Sequence, residues 1–208
     1  HIQFFGHTTP TSEVVGKPAK LMSYNVRVFD LYNWNHNKRT REEMLDLIRV
    51  EDPDILCMQE FLNEDKGEEP PVRELLLQDY RFINSAEEYT AHTRSGHHFG
   101  IATFSVWPIV RKGTIDFPEN PGNQCMWSDI AVRADTIRVY NAHMASYYFG
   151  DADYKFIGTL DTDTKADSIK SGGRRILRRL RDGLMRRANE VDRIAEHMPG
   201  LNGCELIP

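Results

Sequence analysis

The chain has 208 residues, 40% of them hydrophobic and 27% charged, with a formal net charge of −5. This is enough apolar material for one packed domain and excludes global disorder. No run approaches the ~18 consecutive apolar residues of a membrane span, so the chain reads as soluble. It begins at His1 and not at Met, which leaves room for a targeting or anchoring segment upstream. Cys57, Cys125 and Cys204 stand far apart, odd in number and without CxxC spacing, so neither a disulfide framework nor a zinc site is suggested. They are expected to be buried small hydrophobes. Charge is uneven: residues 30–88 hold 16 acidic and 7 basic side chains, whereas 174–198 hold 8 arginines against 4 acids, a basic segment able to touch phosphate.

In chain order, residues 1–19, with Gly6, Pro10, Gly16 and Pro18, predict an irregular lead-in, and the domain is expected over 20–208. KLMSYNVRVF (20–29) predicts a strand. Thr40 and Glu43 form a T-x-x-E capping box ahead of Met44, Leu45, Leu47 and Ile48, predicting a short amphipathic helix that Pro53 ends. DILCMQE (54–60) is a short apolar run stopped by two polar residues, the pattern of a strand buried on both faces with an exposed carboxyl end. Pro71 opens a second helix with Leu75, Leu76 and Leu77. YRFINS, FGIATFSVW and VRKGTIDF predict three further strands, and DIAVRADTIRVYNAHMAS a hairpin turning near Ala134 and Asp135. Residues 149–173 are polar and predict a flexible connection. From Arg174 to Met198, apolar residues at 177, 180, 184, 188, 191, 195 and 198 have a helical period, with the arginines mostly opposite. The order suits a layered α/β or α+β protein, and GxGxxG, GxxxxGK[ST] and GxSxG are all missing from the sequence.

Three strands end in polar groups: Asn25 with Arg27, Gln59 with Glu60, and Asn141 with His143. Singly, each has an ordinary structural use, as a satisfied strand end or a hydrogen-bonded core imidazole. Together they point to a site. A hard divalent cation takes a few oxygen ligands and keeps several waters, so one carboxylate and one amide oxygen at a sheet edge suffice to begin one.

The segments LMSYNVRVFD (21–30), PDILCMQE (53–60), HHFGIATFSVWPI (97–109) and VYNAHMAS (139–146) resemble, in order and spacing, the endonuclease/exonuclease/phosphatase family of metal-dependent phosphoesterases. The resemblance implies a DNase I-like β-sandwich flanked by helices. It implies Asn25 as an active-site asparagine, Glu60 as a metal-binding glutamate, and Mg²⁺ or Mn²⁺ as cofactor with Glu60 and Asn25 as ligands. Arg27 matches the arginine that meets substrate phosphate, and His143 the histidine of an N-x-H motif that donates to a phosphate oxygen or leaving group. Asn141 and His98 join Arg27 as candidate substrate contacts, and Gly100 as a point of close packing. Tyr147 and Tyr148, after the N-x-H motif, are candidates for stacking on a ring.

The family pattern continues with a GDFN-like and later an SDH-like motif, and neither occurs in these 208 residues. The expectation is an incomplete domain, truncated after its first half, with its second sheet largely absent and little activity alone. The missing C-terminal half or another chain would then cover the open sheet. The implied substrate is a phosphate ester, with nucleic acid and a phospholipid headgroup among the classes left open. A bacterial membrane tether upstream is a further implication. The alternative is a non-catalytic binding module that retains half of the cleft.

Overall fold

The computed structural model describes residues 18–65, 70–147, 149–158 and 166–198, without the side chains of 151 and 166–171. Nearly all of the predicted lead-in, Tyr148 and the tail with Cys204 lie outside the described residues. The chain divides into two units, 1–143 and 144–208.

The first unit contains two sheets. Four strands, β1 (Leu21–Asn25), β2 (Ile55–Glu64), β3 (Asn84–His92) and β4 (His97–Ser105), form a sheet in the order β1-β2-β4-β3. β1 runs parallel to β2, and the other pairs are antiparallel. Three more, β5 (Ile109–Asp116), β6 (Gln124–Val132) and β7 (Asp135–His143), form an antiparallel meander in chain order. Helices α1 (Thr40–Glu51) and α2 (Val72–Gln78) complete the unit.

β2 is buried on both faces, as its continuous apolar run requires. Leu56 and Met58 pack with Leu45 and Ile48 of α1 and Val72 and Leu76 of α2. Ile55 and Cys57 point the other way, onto Ile130 and Val139 of the second sheet, while Ile101 meets Ala86 and Met126. Each fully buried large apolar side chain contributes about 1.5–3 kcal/mol. The mixed α/β expectation therefore holds, but the second sheet is not largely absent. The segments read as VRKGTIDF and a hairpin pair with one another through short turns, and their inner face covers the side of the first sheet expected to lie open.

Local departures have local causes. α1 is not capped by Thr40: Asn37 Oδ1 accepts the Arg39 amide at 3.0 Å, Asn37 Nδ2 donates to Glu43 at 3.0 Å, and the Thr40 hydroxyl donates to the Asn37 carbonyl at 2.8 Å. Arg39, the N-cap residue, offers the helix no side-chain cap; Asn37 instead fixes the approach to it. β3 begins at Asn84 and not at Tyr80, because side chains hold 80–83 as a connection. Tyr80 donates to the Leu45 carbonyl at 2.9 Å, Arg81 pairs with Asp52 and Asp54, and Phe82 is buried. Gly100 is a true close approach, since a Cβ there would collide with the Glu88 carbonyl and with Tyr89 Cα at 2.7 Å.

In the second unit, α3 (Asp151–Gly158) and the start of α4 (Ala166–His197) occupy much of the expected connection. α4 also packs by a face turned roughly a quarter-circle from the one predicted, along Gly172, Gly183, Glu190 and Ile194. Leu177, Leu184 and Val191 are exposed, at 67%, 56% and 48%. On the packed side, Arg175 and Arg179 meet the buried Asp153 at 2.6 and 3.0 Å, and Glu190 accepts the Ala145 amide at 2.8 Å. Gly183 lies so near Tyr147 that a Cβ would stand 2.6 Å from its ring. Arg187 donates to the Ala145 carbonyl at 2.8 Å and stacks over Tyr147. The Gly150 amide and the Arg175 guanidinium hold the Asp153 carboxyl below the usual range. Buried carboxylates demand such partners, and hydrophobic period alone does not register that demand. No described helix is long and apolar enough to cross a membrane.

Candidate active site

β1 and β2 run side by side with Asn25 opposite Gln59, so both deliver their polar residues to one sheet edge. There β2 carries a bulge: Met58 faces Ala102 and Phe61 faces Gly100, leaving Gln59 and Glu60 together opposite Ile101. Glu60 takes the left-handed conformation, φ 50°. The extra residue resets the two-residue alternation, so that Phe61 joins Leu56 and Met58 on the helix side. Glu60 is thereby released from the ladder to turn toward β1. Its Oε1 accepts a hydrogen bond from Asn25 Nδ2 at 2.9 Å, and Asn25 Oδ1 accepts one from the Arg27 amide at 3.0 Å.

After Asn25 the backbone makes a left-handed turn in which Arg27, Val28, Phe29 and Asp30 have φ of 44°, 47°, 52° and 56°. For L residues this costs roughly 1–2 kcal/mol each, so the surroundings must impose it. The buried Asp30 does so. Its carboxylate accepts the Trp34 amide at 2.9 Å and the Asn35 amide at 3.3 Å, with Thr40 Oγ1 3.3 Å away. Phe29 anchors the turn against Phe61, edge to face at 6.2 Å. The exposed Arg27 guanidinium then lies 4.7 Å over the Trp34 ring, with one nitrogen 3.4 Å from Asn35 Oδ1. No carboxylate pairs with it among the described residues, which leaves most of its five donors for an anion.

Asn141 ties this edge to the second sheet. It is 1% exposed, and its amide donates to the Ala102 carbonyl at 2.9 Å, the Met58 carbonyl at 3.2 Å and Thr103 Oγ1 at 3.3 Å, while its oxygen accepts from Gln59 Nε2 at 2.8 Å. With its polar atoms spent inward, it positions β2 and does not reach solvent. His143 lies two residues further along the same face of β7. Val139 packs on Ile55 and Cys57 while Asn141 reaches Met58 and Gln59, so β7 advances along β2 toward the end that carries Glu60. The half-buried His143 ring makes no hydrogen bond or ion pair among the described residues.

The structure thus joins Asn25, Arg27 and Glu60 by direct bonds, connects Asn141 to them through Gln59, and sets His143 on the same approach. His98 belongs elsewhere: its ring nitrogens meet His92 and Asp65. Sequence reasoning missed Asp30 and Trp34 as supports of Arg27. Asp30 closes the motif LMSYNVRVFD, and an acid after a turn is the signal that could have found it. Among the described residues Glu60 Oε2 makes no hydrogen bond, Asn25 turns its Nδ2 toward Glu60 and its Oδ1, which keeps a second lone pair, toward the Arg27 amide, and no group of three or more His, Cys, Asp or Glu able to hold a metal converges. One carboxylate with an amide oxygen suits a hard ion that keeps its waters.

A sequence model described as "Endonuclease/Exonuclease/phosphatase family" matches residues 22–194. Among solved structures, the chain is similar to an endonuclease/exonuclease/phosphatase family protein from Leptotrichia buccalis C-1013-b, at 18% identity and TM-score 0.44 over 72% of this chain and 63% of that one. It is also similar to truncated Caenorhabditis elegans TDP2, at 14% identity and TM-score 0.45 over 88% of this chain and 58% of that one. The chain therefore spans about three fifths of the length of these two structures. No curated protein sequence matches it.

Proposed function

Because the chain belongs to the endonuclease/exonuclease/phosphatase family, we propose that it carries the cation side and part of the phosphate side of a divalent-metal-dependent phosphoester hydrolase. The observation that supports this reading is the bonded trio of Glu60, Asn25 and Arg27, where the end of β1 meets the bulge of its parallel neighbour β2. The Glu60 and Asn25 oxygens hold Mg²⁺ or Mn²⁺, which when bound polarises a phosphate oxygen. Arg27, backed by Trp34, clamps the phosphate through its planar fork of donors. His143 donates a proton or hydrogen bond to a phosphate oxygen or leaving group. Water is the nucleophile and no covalent intermediate forms. The substrate is a phosphate ester, with nucleic acid and a phospholipid headgroup as the two classes to compare, and a membrane tether upstream would favour the second.

The test has two stages. In the 208-residue chain, Mn²⁺ is expected to broaden the NMR signals of Asn25 and Glu60 selectively, and Glu60→Gln to abolish that broadening while leaving the fold intact. Mn²⁺ that leaves these signals unchanged removes the cation site and the reading with it. In the protein containing this chain, EDTA is expected to stop hydrolysis of bis-p-nitrophenyl phosphate. Cation and phosphate binding without any turnover would make the protein a binding module.

A further inference from the structure

At the far end of β3 and β4, His92 and His98 stand directly opposite one another across the ladder, before a tight turn through Gly96 at φ 85°. Their Nδ1 atoms face each other at 2.6 Å. The other nitrogen of His98, Nε2, lies 2.8 Å from Asp65 Oδ1, just beyond β2. A carboxylate accepts and cannot donate, so the Nε2 proton of His98 is held there, and in the neutral ring the lone pair falls on Nδ1. A metal-ligating histidine has this arrangement, with the outer N–H held by a carboxylate that orients the ring and raises its basicity. Tyr89 packs against both rings, at 5.8 Å from His92 and 5.5 Å from His98, restricting their rotation. The Thr93 hydroxyl accepts the His97 amide at 3.0 Å and meets Ser95 Oγ at 2.8 Å, which fixes the turn between them.

We propose that His92 Nδ1 and His98 Nδ1, with Asp65 as the orienting carboxylate, form a binding site for a borderline transition-metal ion such as Zn²⁺. Imidazole pairs suit Zn²⁺, Cu²⁺ and Ni²⁺ and are poor ligands for Mg²⁺, so this site and the oxygen pair at Glu60 select different ions. Metal–nitrogen bonds of about 2.0–2.1 Å at right to tetrahedral angles put two ligand nitrogens about 2.9–3.4 Å apart, so from 2.6 Å the nitrogens need to part by about 0.3–0.8 Å, the larger value for a tetrahedral ion. His92 is exposed and His98 is 21% exposed, which admits an ion from solvent, and waters complete the coordination. The bound ion staples β3, the edge strand, to β4, while Asp65 ties the end of β2 to the same centre.

The experiment titrates the folded chain with Zn²⁺ and follows the imidazole nitrogens by ¹H–¹⁵N NMR tuned to side-chain histidines. Both Nδ1 resonances are expected to move together and saturate at one equivalent, with His98 Nε2 remaining protonated. By calorimetry, His92→Ala and His98→Ala each weaken this Zn²⁺ binding at least about tenfold, Asp65→Asn weakens it about tenfold, and His36→Ala and Glu60→Gln leave it unchanged. The wild-type spectrum requires no variant to fold. Zn²⁺ that leaves the two Nδ1 signals in place, or that binds equally well to both alanine variants, overturns the proposal. The result is independent of hydrolysis, because Glu60→Gln removes the proposed catalytic cation and keeps this site.

Discussion

Gln59 and Asn141 share a hydrogen bond of 2.8 Å between a residue of the first sheet and one of the second. It is a polar pin in a largely apolar seam, and it stands one residue from Glu60. Asn141→Ala takes the shortest acceptor from the Gln59 amide, which keeps Ser23 Oγ at 3.2 Å, and removes the buried donor to the Met58 and Ala102 carbonyls, and is expected to cost about 2 kcal/mol. Urea unfolding measures it. A loss below about 1 kcal/mol would mean that the pin carries no such weight.

Asp30 holds the left-handed turn by accepting two backbone amides, and Arg27 depends on that turn for its place over Trp34. Asp30→Ala is expected to destabilise the fold by about 2–3 kcal/mol and to free the Trp34 ring. The second effect is visible as a change in tryptophan fluorescence under native conditions. A variant with unchanged emission and stability would show that the turn is held by other means.

Arg27 presents a planar fork that lysine cannot reproduce. Arg27→Lys keeps the charge, yet phosphate-ester affinity is expected to fall about tenfold, a loss of about 1.4 kcal/mol. Equilibrium binding of a non-hydrolysable phosphate ester checks this. Equal affinity would reduce Arg27 to a point charge.

Asp129 of β6 sits between Arg138 of β7, at 2.6 Å, and Arg111 of β5, at 2.9 Å. The hydrogen bond from Arg138 holds its carboxyl below the usual aspartate range. A depressed carboxyl stabilises the fold fully above its unfolded pKa, about 3.9, and loses that contribution as pH falls through the lower folded value. Thermal unfolding from pH 7 to pH 3 should therefore show an acid-side loss that is smaller in Asp129→Asn. Parallel curves for the two proteins would assign the acid sensitivity to other groups.

Cys57 and Cys125 are buried, and burial pushes each thiol up to about 12. Neither is expected to react with iodoacetamide at pH 8 in the native protein, and both should react in urea. Peptide mass mapping separates them from Cys204. Rapid native labelling of Cys57 would mean that the two sheets part readily.

The strands were legible where chemistry and pattern agreed. DILCMQE announced a doubly buried strand, but the strand does not stop at its polar pair: β2 runs on to Glu64 because Phe61 and Leu62 are buried in turn. The strand expected over 20–29 ends at Asn25, ahead of the left-handed turn, and within Leu21–Asn25 only Met22 is buried. The bulge was not legible. Glycine, asparagine or aspartate commonly marks positive φ, whereas Glu60 takes it because Phe61 is drawn into the helix-side core. Nor was the packed face of α4. The apolar period of Leu177, Leu184 and Val191 argued for one side, but Asp153 and Glu190 lie far from that stretch in sequence or read as plain surface acids, and they decided for another. The T-x-x-E box of α1 did not form either, since the Thr40 hydroxyl turns to the Asn37 carbonyl and Glu43 to the Asn37 amide.

The surplus residue in β2 is absorbed where it stands. Deleting Glu60 would leave Gln59 alone opposite Ile101 and Phe61 still opposite Gly100, two positions from Ala102 and so on the helix side. Asp65 would keep its place beside His98. The bulge therefore confines its whole effect to one carboxylate, and the oxygen-lined edge could have been gained or lost in evolution without disturbing the core or the nitrogen-lined end.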